Sequence, residues 1–238
     1  MAAVEEIFPF IYHVPLGYVN AYMMAEEDGL TLVDAGLPGQ DRRFWKAVAA
    51  IDRKPGDLRN VLVTHHHADH VGSLAALKKA SGATAYVHPI DAPIVAGETK
   101  RPNPNPGSVA GRVFGPLVSR LPQNNPVPVA PDQMVNDGDE LAIAGGVKVI
   151  HTPGHTMGHV SYWIEGHGGI LFAGDAAGHM FGRLGKPLLM FTEDMATAQA
   201  SIRKLAALEF DTACFGHGGV VKGKAHAEFR RYVEKMAR

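Results

Sequence analysis

The stretch Val61-Leu62-Val63-Thr64-His65-His66-His67-Ala68-Asp69-His70 decides the fold and the chemistry expected of this chain. Its apolar start, residues 61–63, is typical of a buried strand. A strand that ends in the pattern H-x-H-x-D-H presents nitrogen and oxygen ligands at one edge of a sheet. The stretch therefore predicts a metal centre, and it favours hydrolytic chemistry over simple binding.

The spacing within this stretch predicts which side chains point the same way. His65 and His67 are two residues apart, so in extended backbone both side chains lie on one face. Asp69 continues the alternation. His70 breaks it, which suits a chain that turns into a helix and faces a second ion.

Three later stretches carry further candidate ligands directly after apolar strands. They are Thr152-Pro153-Gly154-His155-Thr156, Phe172-Ala173-Gly174-Asp175 and Phe215-Gly216-His217-Gly218. A rigid Pro-Gly turn, a carboxylate beside glycine and a histidine between glycines all allow close approach to an ion. Each stretch alone is weak evidence, since turn histidines and Asx-turn aspartates are common.

Composition excludes several classes of partner and site. A net charge of −1 over 238 residues gives no basis for binding nucleic acid or an anionic membrane. Cys214 is the single cysteine, which rules out an intrachain disulfide and a thiolate zinc site and favours a reducing, cytoplasmic location. The first residues lack the positive charge and apolar core of a signal peptide, and no apolar run approaches the length of a membrane span.

Hydrophobic periodicity predicts short strands alternating with helices. Strands are predicted at residues 10–14, 19–25, 30–34, 61–64, 84–87, 141–143, 147–151, 159–164, 170–173 and 212–215. Helices are predicted at residues 40–51, 70–80, 107–121, 194–208 and 225–236, with Ser81-Gly82 closing the second. Eight of the 16 prolines lie between Pro102 and Pro131, so residues 89–132 are predicted to be an irregular insertion that forms an active-site flap.

The motifs together, in this order, resemble the metallo-β-lactamase superfamily, and the resemblance covers nearly the whole chain. It implies an α/β fold, a four-layer αβ/βα sandwich of two mixed β-sheets flanked by helices, in one domain spanning residues 1–238. Residues 29–36 echo residues 169–176, each an apolar strand that leads to an aspartate, which suits a fold built by duplication.

The resemblance implies a dinuclear centre with seven ligands, among which Asp69 and Asp175 also have catalytic roles. His65, His67 and His155 bind one cation, Asp69, His70 and His217 bind the other, and Asp175 bridges them. Imidazole and carboxylate ligands suit two Zn²⁺ ions, with Fe or Mn open. The residues expected to support or surround this set are Asp34 and His159 beside the ligands, His66 pointing away from the metals, His13, His88, His167 and His226 in packing or surface positions, and His151 and His179 without a settled role.

The resemblance also implies hydrolysis of an ester-type bond by a metal-bridging hydroxide, with a small lactone as the expected substrate. Asp175 argues against true β-lactamases, and the 21 residues after His217 leave no room for the helical domain of glyoxalase II. A thioester hydrolase, a mononuclear iron persulfide dioxygenase and a non-catalytic metal-binding protein remain alternatives, and a homodimer stays open. The expected pocket wall comprises Val109, Val113, Phe114, Leu117, Met180, Phe181 and Met190. A tyrosine that lactonases of this type carry after the bridging aspartate is missing, and His179 is the candidate to replace it.

Overall fold

The computed structural model describes residues 4–102, 109–118, 125–166 and 168–236. The chain forms two compact units. Unit 1 comprises Met1–Arg101 and Ser119–Met134, and unit 2 comprises Pro102–Val118 and Val135–Arg238. His167 and both ends of the helix predicted at residues 107–121 lie outside the described residues.

Unit 1 is built on a seven-stranded mixed sheet whose strands follow one another in chain order. The first four strands pair antiparallel, and the fourth to the seventh pair parallel. The strands are β1 (Glu5–Phe8), β2 (Ile11–Pro15), β3 (Asn20–Ala25), β4 (Leu30–Val33), β5 (Leu58–Leu62), β6 (Thr84–Val87) and β7 (Gln133–Met134). The carboxyl ends of the parallel strands β4, β5 and β6 therefore lie at one edge of this sheet.

Four helices accompany this sheet: α1 (Asp41–Ala49), α2 (Ala68–Val71), α3 (Leu74–Ser81) and α4 (Ala92–Val95). Helix α1, predicted at residues 40–51, buries Phe44, Ala47 and Val48 in the core of unit 1. The helix predicted over residues 70–80 is divided into α2 and α3. The reason is Ser73, whose backbone N–H donates to Ala35 O and whose hydroxyl donates to Leu37 O.

Unit 2 contains a five-stranded sheet and a separate two-stranded hairpin. In the five-stranded sheet the order is β14, β11, β10, β9 and β8, and β11 pairs parallel with β14 while the other pairs are antiparallel. These strands are β8 (Glu140–Leu141), β9 (Val147–His151), β10 (Val160–Ile164), β11 (Ile170–Gly174) and β14 (Thr212–Phe215). The hairpin consists of β12 (Gly178–Met180) and β13 (Arg183–Gly185), which the sequence did not predict.

Among the described residues of unit 2, the helices are α5 (Val109–Val118), α6 (Met195–Leu205) and α7 (Ala225–Met236), with a 3-10 helix at Leu189–Phe191. The Asp194 carboxylate caps α6 by accepting from the backbone N–H groups of Ala196 and Thr197. Helices α6 and α7 bury Ile202, Leu205 and Phe229 against the sheet residue Phe215.

The predicted α/β class of mixed sheets with flanking helices is confirmed. The two echoing strands have equivalent surroundings, since β4 and β11 are fully buried and each has one antiparallel and one parallel neighbour. The helix predicted inside the insertion is present as α5. The insertion itself divides, because its described parts at residues 89–101 and 125–132 belong to unit 1 whereas α5 belongs to unit 2. Its role as a flap stays a prediction.

Candidate metal centre

The first group of donor atoms lies in unit 1, directly after β5. Strand β5 ends at Leu62, the chain bends at Thr64 and at His66, and α2 begins at Ala68 after an extended His67. His65 Nε2 lies 3.0 Å from His67 Nδ1, so the two rings converge on one point. The ring centroids of His65 and His70 are 4.0 Å apart. Donor atoms of Asp69 and His70 lie within 4.8 Å of each other.

Asp34, at the end of β4, fixes the orientation of two of these rings. Its carboxylate accepts from the Thr64 backbone N–H at 2.8 Å and from the Thr64 hydroxyl at 2.9 Å. That hydroxyl accepts in turn from His65 Nδ1 at 3.0 Å, and His70 Nδ1 donates to Asp34 Oδ2 at 2.8 Å. Both histidines therefore carry their proton on Nδ1 and keep the lone pair on Nε2 for a cation.

His66 points into the protein, as the sequence predicts for the middle residue of this run. Its ring is 1% exposed, and His66 Nδ1 lies 3.1 Å from Asp91 Oδ2. The same carboxylate oxygen accepts the His66 backbone N–H at 2.9 Å. Asp91, itself 1% exposed, thus holds the centre of the loop from inside, and no spacing rule in the sequence identifies it as a partner.

Two further residues of unit 1 influence Asp69 and were missed by sequence reasoning. Burial raises the pKa of Tyr18, and the charge of Asp69 raises it further. Burial lowers the pKa of Arg101, while the charges of Asp69 and Asp91 oppose that shift. A phenol and a guanidinium group therefore lie within electrostatic reach of this carboxylate.

The second group of donor atoms lies in unit 2, and His155 enters it from the turn after β9. Gly154 adopts φ +128, and a Cβ atom there would lie 2.1 Å from the Ala198 backbone nitrogen of α6. The turn can approach the helix this closely because residue 154 has no side chain. His155 Nδ1 donates to Thr192 Oγ1 at 3.3 Å, because that hydroxyl gives its own proton to Leu188 O.

Asp175 follows β11, and His159 holds its backbone through a buried chain of hydrogen bonds. His159 Nε2 accepts the Asp175 backbone N–H at 3.0 Å, so the ring proton lies on Nδ1 and is donated to Thr152 Oγ1 at 2.8 Å. The Thr152 hydroxyl donates to Ser161 Oγ, which donates to Ala173 O. The donor and the acceptor of each hydrogen bond in this series are thereby assigned, and the assignment makes His159 a neutral imidazole.

His217 completes the donors of unit 2. It follows β14, where the Gly216 N–H donates to Gly174 O at 2.9 Å and so aligns the ends of β14 and β11. Asp175 Oδ2 lies 3.3 Å from His155 Nε2 and 3.3 Å from His217 Nε2. One carboxylate oxygen therefore stands between two imidazole nitrogens.

These separations fit a bound cation. Two ligands at 2.0–2.1 Å from a tetrahedral zinc ion are about 3.3 Å apart. The observed separations are 3.0 Å between His65 Nε2 and His67 Nδ1 in unit 1, and 3.3 Å for both contacts of Asp175 in unit 2. Nitrogen and carboxylate donors suit Zn²⁺ and also iron or manganese.

The other residues considered from the sequence have structural surroundings. Cys214 is fully buried in β14, and burial raises the pKa of its thiol far above the usual range. His151 Nε2 bonds to Met157 O, and His179 Nε2 lies 3.4 Å from Glu228 Oε2. His13 contacts Asn20, His88 is buried, and His226 contacts Ala206 O. Within the described ranges no helix is both long enough and apolar enough to cross a membrane.

Comparison with known proteins gives a family model and several relatives. The model described as the metallo-beta-lactamase superfamily matches residues 14–217. A probable metallo-hydrolase, YflN of Bacillus subtilis, is 28% identical over 95% of this chain and 89% of its own length. A hydroxyacylglutathione hydrolase of Pseudomonas paraeruginosa is 34% identical over 77% of this chain, which spans 64% of that enzyme. A solved metallo-β-lactamase of Cronobacter sakazakii, at 21% identity, shares the fold with a TM-score of 0.74 over 99% of this chain and 94% of that one.

Proposed function

This chain belongs to the metallo-β-lactamase superfamily and is a metal-dependent hydrolase, and from that premise we propose that it cleaves a small ester-type substrate, a lactone in the first place. The observation that carries the proposal is the position of Asp175 Oδ2, 3.3 Å from both His155 Nε2 and His217 Nε2. His155 directs its Nδ1 atom to Thr192, which leaves Nε2 facing the carboxylate, and an oxygen between two imidazole nitrogens supports a cation site here.

We assign the ligands by family membership and by the order of the motifs. His65, His67 and His155 would hold one cation, Asp69, His70 and His217 would hold the other, and Asp175 would be a ligand shared by the two. The donor geometry within each unit, described above, supports this assignment. A bound divalent cation supplies hydroxide at neutral pH by lowering the pKa of water to about 7.

We propose that water is the nucleophile, in place of a side-chain thiol or hydroxyl. The single thiol, that of Cys214, is buried and held protonated. The hydroxyls of Ser161 and Thr152 are fixed in the chain that supports Asp175. We propose that Asp69 accepts the proton released during attack, since its carboxylate is partly exposed and lies among the donor atoms of unit 1.

The apolar residues named for the pocket wall lie at the surface of unit 2 and not in its core. Val113, Phe114 and Leu117 on α5 are 63%, 55% and 63% exposed, and Phe181 is 98% exposed at φ +51. An exposed aromatic residue in the left-handed backbone conformation destabilises the folded chain, and its exposed ring gains no burial within the chain to offset this. We propose that this surface contacts an apolar substituent of the substrate.

A thioester is the second candidate substrate. It is favoured by the similarity to hydroxyacylglutathione hydrolases, because an acyl group carried by glutathione is a thioester. His179 does not support the role of a substitute oxyanion donor, because its Nε2 atom faces Glu228 Oε2 at 3.4 Å. The choice between lactone and thioester thus rests on substrate assays.

The test is a panel of lactones, thioesters and phosphodiesters, assayed with protein of measured metal content. We expect turnover of carbonyl substrates with two zinc ions per chain. Turnover confined to phosphodiesters would contradict the proposal, and one iron per chain with oxygen uptake would support a dioxygenase. A series of lactones with longer alkyl substituents tests the apolar surface: Phe181→Ser should raise KM for long members, whereas Phe10→Ser, which changes an exposed phenylalanine at φ +66 in unit 1, should not.

A further inference from the structure

The hairpin of β12 and β13 contacts the loop that carries His217. His179 in β12 forms a parallel bridge with Gly218, and the Gly219 N–H donates to His179 O at 3.0 Å. Gly218 adopts φ +90, and a Cβ atom there would lie 2.0 Å from His179 O. The backbone after His217 is therefore pressed against the backbone of His179, with no room for a side chain between them.

The His179 side chain continues this contact into the body of unit 2. Its ring stacks on Phe215 with centroids 5.8 Å apart and an interplanar angle of 21°. Phe215 ends β14, two residues before His217, and stacks in turn on Phe229 of α7. The imidazole thus rests on the strand that delivers the ligand.

Glu228 of α7 holds the far side of the same ring. Its Oε2 atom lies 3.4 Å from His179 Nε2, and both side chains are largely buried, at 13% and 14% exposed. Lys224 lies 3.2 Å from the other oxygen of Glu228 and is 70% exposed. The residue pair therefore joins the hairpin to α7, the helix that packs on both β13 and β14.

From these contacts we infer that His179, held by Glu228, is a positioning residue that fixes His217 relative to Asp175. The hairpin starts three residues after Asp175, and its His179 contacts the loop that carries His217. His179 therefore connects the segment after Asp175 with the loop of His217. The inference rests on the proposed function, because it assumes that Asp175 and His217 bind a common cation. It assigns a role to two residues, His179 and Glu228, that are not among the proposed ligands.

The test measures metal affinity apart from activity. Zn²⁺ is titrated into the full-length protein in competition with a chromophoric chelator, and the Co²⁺ form is examined by visible absorption. His179→Phe keeps the stack on Phe215 and removes Nε2, while Glu228→Gln removes the charge that holds the ring. Both should weaken one metal equivalent about tenfold, as loss of a ligand's supporting partner does. The double variant should bind no more weakly than His179→Phe alone, because the two residues act as a unit.

Lys224→Gln is the matched control, since it removes the other partner of Glu228 and leaves the histidine contact intact. It should leave both metal affinities within about twofold of the wild type. Wild-type metal affinity in both Glu228→Gln and His179→Phe would overturn the inference. If the wild type hydrolyses substrate and these variants keep their metal affinity, the inference is wrong but the proposed function is supported. If the variants lose metal affinity and the wild type hydrolyses no substrate tested, the inference is supported and the proposed function is wrong.

Discussion

The donor atoms of unit 1 and those of unit 2 are arranged by different means. In unit 1 four donors lie between His65 and His70, so local backbone geometry sets their separations. In unit 2 the donors His155, Asp175 and His217 follow three different strands, so sheet register and hydrogen bonds between distant residues set theirs. The comparison teaches that a contiguous ligand motif survives small shifts of the scaffold, whereas a dispersed one depends on every element that holds the strand ends.

The largest effect is expected at the centre of the dispersed group. Asp175→Asn keeps the shape of the side chain and removes the charge that two imidazoles face. We expect kcat to fall about 1,000-fold, or roughly 4 kcal/mol of transition-state stabilisation, and one metal equivalent to be lost. Steady-state kinetics and metal analysis measure both. Asp211→Asn, the same change at an exposed site of unit 2, serves as the control and should behave like the wild type.

In the contiguous group, variants of two adjacent residues distinguish an effect on metal binding from an effect on folding stability. His67→Ala removes a donor and should lower metal content with little loss of folding stability. His66→Ala deletes a ring that is 1% exposed and leaves a cavity, so it should lower the free energy of unfolding by about 3 kcal/mol while the folded protein keeps its metal. Urea unfolding and metal analysis of the pair distinguish the two roles. Equal metal loss in both variants would show that His66 is not merely structural.

A smaller effect is expected where a hydroxyl supports a ligand in unit 1. Thr64→Val breaks the link from Asp34 to His65 Nδ1, and metal affinity should fall about tenfold. Thr31→Val is the matched control, because Thr31 is equally buried and accepts from Asn60 Nδ2 far from the donors. Competition titration with a chelator should find its affinity unchanged. A loss of affinity of the same size in Thr31→Val would mean that the effect reflects general destabilisation.

The smallest effect concerns Asp137, whose carboxylate secures the end of β9 ahead of His155. Burial alone would raise the pKa of Asp137, but hydrogen bonds from Lys204 and from the His151 N–H, together with the Lys204 charge, lower it overall. Its stabilisation is therefore complete above the unfolded pKa of about 3.9 and is lost as pH falls through the lower folded value.

Asp137→Asn should accordingly be less stable than the wild type at pH 7 by under about 1 kcal/mol, because the ion pair is partly exposed. The difference should close as the pH is lowered below about 4. Urea unfolding of the two proteins across this pH range measures it. A difference that persists at pH 2 would assign the effect to something other than the ionised carboxylate.

Much of the fold follows from local pattern, and the exceptions share a cause. Strands β6, β9 and β14 and helix α7 lie where periodicity predicts them, and Gly82 ends α3 in left-handed conformation as its position predicts. The division of α2 from α3 was not predictable, because it depends on bonds from Ser73 to residues of a distant loop. The hairpin of β12 and β13 was missed for a similar reason, since its turn contains Phe181 and Gly182 instead of the usual Asn-Gly.

The sequence by itself determined the donor types, their order along the chain and the absence of a usable thiol, because these depend on residue identity and short spacing. Tertiary structure alone decided how the donors are held: Asp91 behind His66, Asp34 and Thr64 behind His65, and the buried chain from His159 to Ser161 behind Asp175. These partners are distant along the chain, or act through backbone groups that every residue carries. Their roles arise from strand register and burial, which no local pattern encodes.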